Sequence, residues 1–270
     1  MALVAIVGMG GLGCPIAVAL AEAGVDLRLI DDDRVELSNL QRQVLFSTPD
    51  IGRDKLDVAV ERLHERFPEV AIEPRSGRLS SDNAAILLAG ADLIIDATDD
   101  PAARFIVNDW GLAEKVPVVI GGVHRFQGMV LAHAGHGPCL RCLFEEEGPP
   151  VETCAAGGVI GAMAGLVGFL MAERALQLLA ASVTEAEGDT AASATAAEGD
   201  TAASATAAEG DTAASATAAE GDTAVLAATG YVTTLDGLAA RTRHVPLPAG
   251  CDACAGTPTS AHPGESSLAA

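Results

Sequence analysis

Two cysteine pairs carry the most specific chemistry in this chain: Cys139-Leu140-Arg141-Cys142 and Cys251-Asp252-Ala253-Cys254. Thiolates two residues apart can turn onto one metal ion, and two such turns supply the four soft ligands of a tetrahedral structural Zn²⁺ site. Bound zinc would staple the later pair onto the middle of the chain. A pair of redox-active dithiols is the alternative. Two cysteines remain outside these turns. Cys14 lies in an apolar helical stretch and reads as a packing residue. Cys154 follows the loop-like Glu145-Glu146-Glu147-Gly148-Pro149-Pro150 and precedes a long helix. A thiol near a helix N-terminus can have a lowered pKa, so Cys154 is a candidate nucleophile, and equally an inert thiol.

A second group could bind phosphates. Gly8-Met9-Gly10-Gly11-Leu12-Gly13 joins an apolar run to a helical one. Glycines permit the tight turn and close approach of backbone N–H groups to phosphate, next to the positive end of a helix dipole. Asp31, 23 residues after Gly8, ends the next apolar run, where a carboxylate can accept ribose hydroxyls. That pattern alone fits NAD, FAD or ATP. Ser38-Asn39-Leu40-Gln41-Arg42-Gln43 and then Lys55 add polar groups and two cations suited to a triphosphate. Taken singly, Lys55 reads as a solvated helix lysine. Asp96-Ala97-Thr98-Asp99-Asp100 ends another apolar run; a carboxylate there suits Mg²⁺, and Asp99 or Asp100 could cap the following helix.

The elements that must position these groups alternate. Leu3–Val7, Leu27–Ile30, Val70–Glu73, Leu93–Asp96, Val118–Gly121 and Met129–Ala132 read as strands. Cys14–Ala23 reads as a helix with Pro15 in its first turn and Gly24 at its end. Asp54–Phe67 is amphipathic and stops at Pro68; a further helix starts near Pro101. This order predicts an α/β fold: a Rossmann-like, doubly wound, mainly parallel sheet, with a C-terminal zinc-stapled region. The Asp96–Asp100 run would lie at the C-terminal end of its strand, the edge at which open α/β sheets bind ligands.

Composition narrows the classes. The 270 residues suffice for one large α/β domain, expected over 1–256, with a polar tail over 257–270. A net charge of −21 opposes nucleic-acid binding. The start of the chain reads as a strand and not a signal peptide, and paired cysteines without an export signal point to the cytoplasm. Ala155 to Ala172 holds 18 residues without charge, long enough to raise a membrane span. Its glycines and the Glu173-Arg174 continuation favour a buried helix, with Gly161 and Gly165 permitting close approach of a second helix. The sequence AEGDTAASATA occurs three times unchanged, at 186–196, 197–207 and 208–218, and a partial copy ends at 224. Its only apolar residue is alanine, so 186–224 reads as a disordered insertion.

In ordered combination, GMGGLG, LIDDD, SNLQRQ, IGRDK, DATDD and the two cysteine pairs resemble the ubiquitin-activating-enzyme-like superfamily. The similarity is to the ThiF/MoeB/HesA-type sulfur-carrier adenylyltransferases. The resemblance implies ATP-dependent adenylylation of the C-terminal Gly-Gly carboxylate of a small ubiquitin-like sulfur carrier of thiamine or molybdopterin type, preparing a thiocarboxylate. It implies Gly8, Gly10, Gly11 and Gly13 against ATP, Asp31 on ribose, Asn39, Arg42 and Lys55 on phosphates, and Asp99 on Mg²⁺. Cys139, Cys142, Cys251 and Cys254 would hold Zn²⁺, and Cys154 would enter sulfur transfer in the thiamine-type branch. A homodimer and a separate sulfur donor protein are also implied. Only Met1 and Ala2 precede the first strand, where the family has a helix with an arginine reaching the partner subunit. That departure bears on dimer contacts and rate. Asp100 stands where the family often has asparagine. Two other readings remain at this point: a zinc-stapled binding protein without catalysis, and a NAD- or FAD-dependent oxidoreductase.

Overall fold

The computed structural model describes residues 1–144, 158–191, 231–236, 239–244 and 251. Eight strands form one sheet: β1 (Leu3–Val7), β2 (Asp26–Asp31), β3 (Ile72–Ser76), β4 (Leu93–Asp96), β5 (Val118–His124), β6 (Gln127–His133), β7 (Tyr231–Asp236) and β8 (Ala239–His244). Their order is β3-β2-β1-β4-β5-β6-β7-β8. The first five run parallel and β5 through β8 antiparallel. The expected doubly wound sheet is therefore present, extended on one side by an antiparallel ribbon. The order reverses between β1 and β4, which opens a crevice at their C-terminal ends.

Six helices cover the sheet among the described residues: α1 (Gly13–Glu22), α2 (Lys55–Arg66), α3 (Ala84–Leu88), α4 (Pro101–Glu114), α5 (Leu140–Leu143) and α6 (Gly161–Ala191). The period-two alternation of the parallel strands divides the core. Val4, Ile6, Leu27, Leu29, Leu93 and Ile95 bury on the face covered by α1, α2 and α6. Ala5, Val7, Ile30 and Ile94 bury on the face covered by α3, α4 and α5. Strands buried on both faces read as continuous apolar runs, which is why β1 and β4 stand out in the sequence.

The apolar stretch expected to be a buried helix is α6. Gly161–Ser182 is long and apolar enough to cross a membrane. Its Met163, Val167, Met171, Ala175 and Leu178 are instead buried in the core. The expected close-approach glycines need one correction. A Cβ on Gly165 would meet nothing within 4 Å, whereas one on Gly168 would lie 2.6 Å from Pro15 of α1. Gly161 does permit a close approach, to the backbone of Gln41. The α6 backbone continues to Ala191, so the first residues of the 186–224 repeat extend the helix. Alanine and glutamate are strong helix formers. The rest of the repeat, the 257–270 tail, Cys154 and Cys254 lie outside the described residues.

Candidate functional site

The crevice beyond β1 and β4 is a cavity of about 1050 Å³. Its floor is the β1–α1 turn. Gly8 has φ +93°, a conformation that glycine adopts without strain. Gly13 opens α1, and a Cβ there would overlap the Gly8 carbonyl oxygen. Gly13 is buried and does not line the cavity; it lets helix meet strand. Gly10 has no positive φ, and a Cβ on it would meet nothing within 4 Å. The protein's own packing does not require glycine at this position, so a side chain there would only intrude on the cavity. No side chain caps α1, and no acid sits in its first turn. Its N-terminus is thus suited to an anion.

Asp31 ends β2 at the side of this loop. Its Oδ2 accepts the Met9 N–H at 2.6 Å, and its Oδ1 accepts the Asp33 N–H at 2.8 Å. Burial raises its pKa, the dominant cause, and Lys55 and the two backbone donors oppose that rise. A carboxylate has lone pairs beyond these two bonds, so Asp31 can still accept from a ligand.

Arg42 and Asn39 form the opposite wall. The Arg42 Nη2 donates to Asn39 Oδ1 at 2.8 Å, and its Nη1 to the Ser38 carbonyl at 3.3 Å. A Cβ on Gly11 would lie 3.2 Å from the Arg42 stem, so the guanidinium arches over the glycine loop. Gln43, 3% exposed, also lines the cavity, and its Oε1 has no hydrogen-bond partner. Lys55 departs from the solvated reading. It is 4% exposed, at the first position of α2, because the chain there folds back onto β2.

The turn after β4 supplies the third wall. Asp96 is fully buried; its Oδ1 accepts from both the N–H and the hydroxyl of Thr98, at 3.1 and 2.7 Å. Burial raises its carboxyl pKa to about 6, against the lowering effects of Arg104 and Thr98. Asp100 is the helix cap: its Oδ1 accepts the Ala102 N–H at 3.0 Å, and its Oδ2 accepts from Arg78 at 2.7 Å. The Arg78 bond is the main cause holding its pKa below the usual range. With Asp100 so occupied, Asp99 is exposed on the cavity wall, without a hydrogen bond or ion pair to a described residue.

Gly8, Gly10, Gly11, Asp31, Asn39, Arg42, Lys55 and Asp99 thus line one cavity. Sequence reasoning missed Asp33, Arg78 and Arg104, which reach the same space. Arg104 lies one helical turn beyond the capping Asp100, and that spacing was the available signal. Among the described lining residues, Asp31, Asp32, Asp33, Glu36, Asp99 and Asp100 outnumber Arg42, Lys55, Arg78 and Arg104. Such an excess of acid repels a bare triphosphate and suits one accompanied by a divalent cation, to which the unpaired Asp99 could offer an oxygen.

The first cysteine turn sits on α4, away from that cavity. The sulfur atoms of Cys139, Cys142 and Cys251 lie within 4.8 Å of one another, which joins the first pair to the second. Cys139 Sγ and Cys142 Sγ are 3.9 Å apart, and four sulfurs about 2.3 Å from a zinc ion form edges of about 3.8 Å. The donor set fits Zn²⁺. Two α4 side chains that the sequence did not flag hold the turn. Buried Asn108 Oδ1 accepts the Leu140 N–H at 2.7 Å, and Asp109 takes two bonds from Arg141 at 2.8 and 2.6 Å. Cys14 is fully buried, and burial pushes its thiol pKa up to about 12, in keeping with a packing role.

Over 185 residues the chain is 43% identical to the "Sulfur carrier protein adenylyltransferase" of Thermus thermophilus, covering 65% of this chain and 68% of that protein. Over 179 residues it is 40% identical to the "SAMP-activating enzyme E1" of Haloferax volcanii, covering 65% of this chain and 66% of that protein. The fold matches that of Escherichia coli MccB in complex with MccA-N7isoASN, with a TM-score of 0.67 at 18% identity, over 94% of this chain and 66% of MccB. The chain thus spans about two thirds of these proteins' lengths. The ThiF family model matches residues 2–211. On that match and these identities, the chain belongs to the ThiF family.

Proposed function

We propose that the protein is an ATP-dependent adenylyltransferase that activates the C-terminal carboxylate of a small ubiquitin-like sulfur-carrier protein. The observation that carries this reading is the convergence of an uncapped glycine-loop helix, Asp31, Arg42, Lys55 and Asp99 on one cavity. The names of the adenylyltransferase relatives support it.

A carboxylate oxygen of the carrier attacks the α-phosphorus of ATP. A new P–O bond forms, the bond from the α-phosphorus to the bridging oxygen breaks, and pyrophosphate leaves with that electron pair. The product is an acyl adenylate. Asp31 would orient the ribose, and the α1 N-terminus, Asn39 and Arg42 would hold the phosphates. Mg²⁺ bound at Asp99 would neutralise phosphate charge. Catalysis is then mostly positioning and electrostatic stabilisation. A separate donor would deliver sulfur to the activated carrier, with Cys154 a candidate relay residue. Cys139, Cys142, Cys251 and Cys254 would hold Zn²⁺ as a structural staple. The homodimer expectation rests on the family resemblance.

The test is pyrophosphate release from Mg·ATP by the purified protein, with and without a panel of carrier proteins ending in Gly-Gly. Release that depends on one carrier, and is lost in Asp99→Ala, supports the reading. The responding carrier then assigns the thiamine or molybdopterin branch. Carrier binding without release from any member would identify a binding protein instead.

A further inference from the structure

The cavity has a second arm that a nucleotide does not explain. Beyond the glycine loop it continues along the ends of β5, β6 and β7, past Gly122, Val123, Gly128 and Leu235. Its volume of about 1050 Å³ reaches the top of the ~300–1000 Å³ range of small-ligand pockets. Arg42, Lys55 and Arg78 stand on the β2 and β4 side; the guanidinium that faces this arm is that of Arg104.

Arg104 is held from behind. Its Nη2 donates to the Thr98 carbonyl at 3.1 Å, and its Nε lies 3.3 Å from the fully buried Asp96 Oδ2. Neither Nε nor Oδ2 has a hydrogen-bond partner, so the pair is a charge contact and its hydrogen-bonding capacity is unspent. The front of the group is open. A Cβ on Gly122 would lie 3.2 Å from Arg104 Nη1, so glycine at this position lets the guanidinium lie close over β5. The Arg104 side chain is 24% exposed, on the cavity side.

We propose that Arg104 is the substrate-binding residue that receives the incoming terminal carboxylate of the acyl substrate, at the junction of the two arms. This deepens the adenylyltransferase reading and rests on it. The chemistry requires such a cation. The attacking group and the triphosphate are both anionic and must come within bonding distance. A planar guanidinium can take a carboxylate by paired charge-assisted bonds while the nucleotide is held from the other side. Once the acyl phosphate bond forms, the carboxylate charge is gone and the Arg104 interaction weakens. Arg104 therefore selects the reactant acid over a neutral terminus.

A direct test uses an octapeptide ending in Gly-Gly, as free acid and as C-terminal amide, titrated into the full-length protein loaded with a non-hydrolysable ATP analogue. Wild type should bind the acid about tenfold more tightly than the amide. Arg104→Gln should erase that ratio without altering affinity for the ATP analogue, and Arg104→Lys should restore part of it. If Arg104→Gln misfolds because Asp96 is orphaned, the double variant Asp96→Asn/Arg104→Gln serves in its place. An unchanged acid-to-amide ratio in the variant overturns the proposal. So does absence of acid preference in wild type, including absence of binding. Failure of pyrophosphate release with every carrier would instead sink the adenylyltransferase reading, and the acid-to-amide ratio reports on Arg104 separately.

Discussion

The Lys55 ammonium lies 2.7 Å from Asp33 Oδ2 and 3.8 Å from Asp31 Oδ1, almost fully buried beneath the cavity. It is a counter-ion to Asp31, the carboxylate proposed for ribose, and its residue lines the same cavity. To contact a phosphate it must exchange Asp33, an exposed partner. Lys55 is thus a structural counter-ion, and the phosphate role proposed for it requires it to leave Asp33. Lys55→Ala should slow pyrophosphate release by roughly 100-fold or more, as for loss of a transition-state charge. It should also cost on the order of 1–3 kcal/mol, the usual penalty for leaving a buried polar group such as Asp31 without its partner. Chemical denaturation alongside single-turnover kinetics separates the two effects. Lowered stability with unchanged turnover would refute the phosphate role.

Gly10 and Gly13 should respond oppositely to one methyl group. Gly10→Ala meets no protein atom within 4 Å and no positive φ, so stability should stay within about 1 kcal/mol of wild type. Affinity for ATP should fall about tenfold or more. Gly13→Ala drives its Cβ into the Gly8 carbonyl and should cost about 1–3 kcal/mol. Calorimetric binding with thermal melts tests the pair, and intact ATP affinity in Gly10→Ala would remove Gly10 from the nucleotide site.

Asp96 should leave a signature in the pH dependence of stability. Its pKa is about 6 in the folded protein, against an ordinary value of 3.8. The folded state therefore binds this proton more tightly than the unfolded chain. The stabilisation is full below about pH 4 and is lost as pH rises through about 6. Asp96→Asn does not titrate, so its Tm relative to wild type should climb between about pH 4 and 6.5. A flat difference across that window would show that the carboxyl titrates normally.

Zinc removal should unfasten the chain. The purified protein should contain about one zinc per chain, and a strong chelator should lower Tm by on the order of 10 °C. Cys139→Ser should reproduce the loss. Metal analysis that finds no zinc, together with a melting temperature insensitive to chelator, would leave the redox-dithiol reading standing.

Much of the nucleotide half of the site was legible because it is encoded locally. The glycine loop, Asp31 and the Asp96–Asp100 turn each lie at the end of an apolar run, and parallel strands deliver all such ends to one edge. Taken singly, Lys55 reads as a solvated lysine, because helix periodicity does not show that α2 starts against the β2 turn; only its place beside the Arg42 motif marked it as a candidate. β7 and β8 were missed altogether. Tyr231–Asp236 and Ala239–His244 carry no strong alternation, and their pairing with β6 is non-local.

The sequence by itself determined the fold class, and with it the place of the glycine loop at the end of β1, since these depend on residue type at fixed spacing. Tertiary structure alone decided which aspartate caps α4 and which is left exposed on the cavity wall without a hydrogen bond to a described residue. It also placed Arg104 against Asp96 and Gly122, and Asn108 and Asp109 under the cysteine turn. Those relationships join residues on different elements. Their energies depend on burial and distance, quantities that arise only once the sheet and helices have packed.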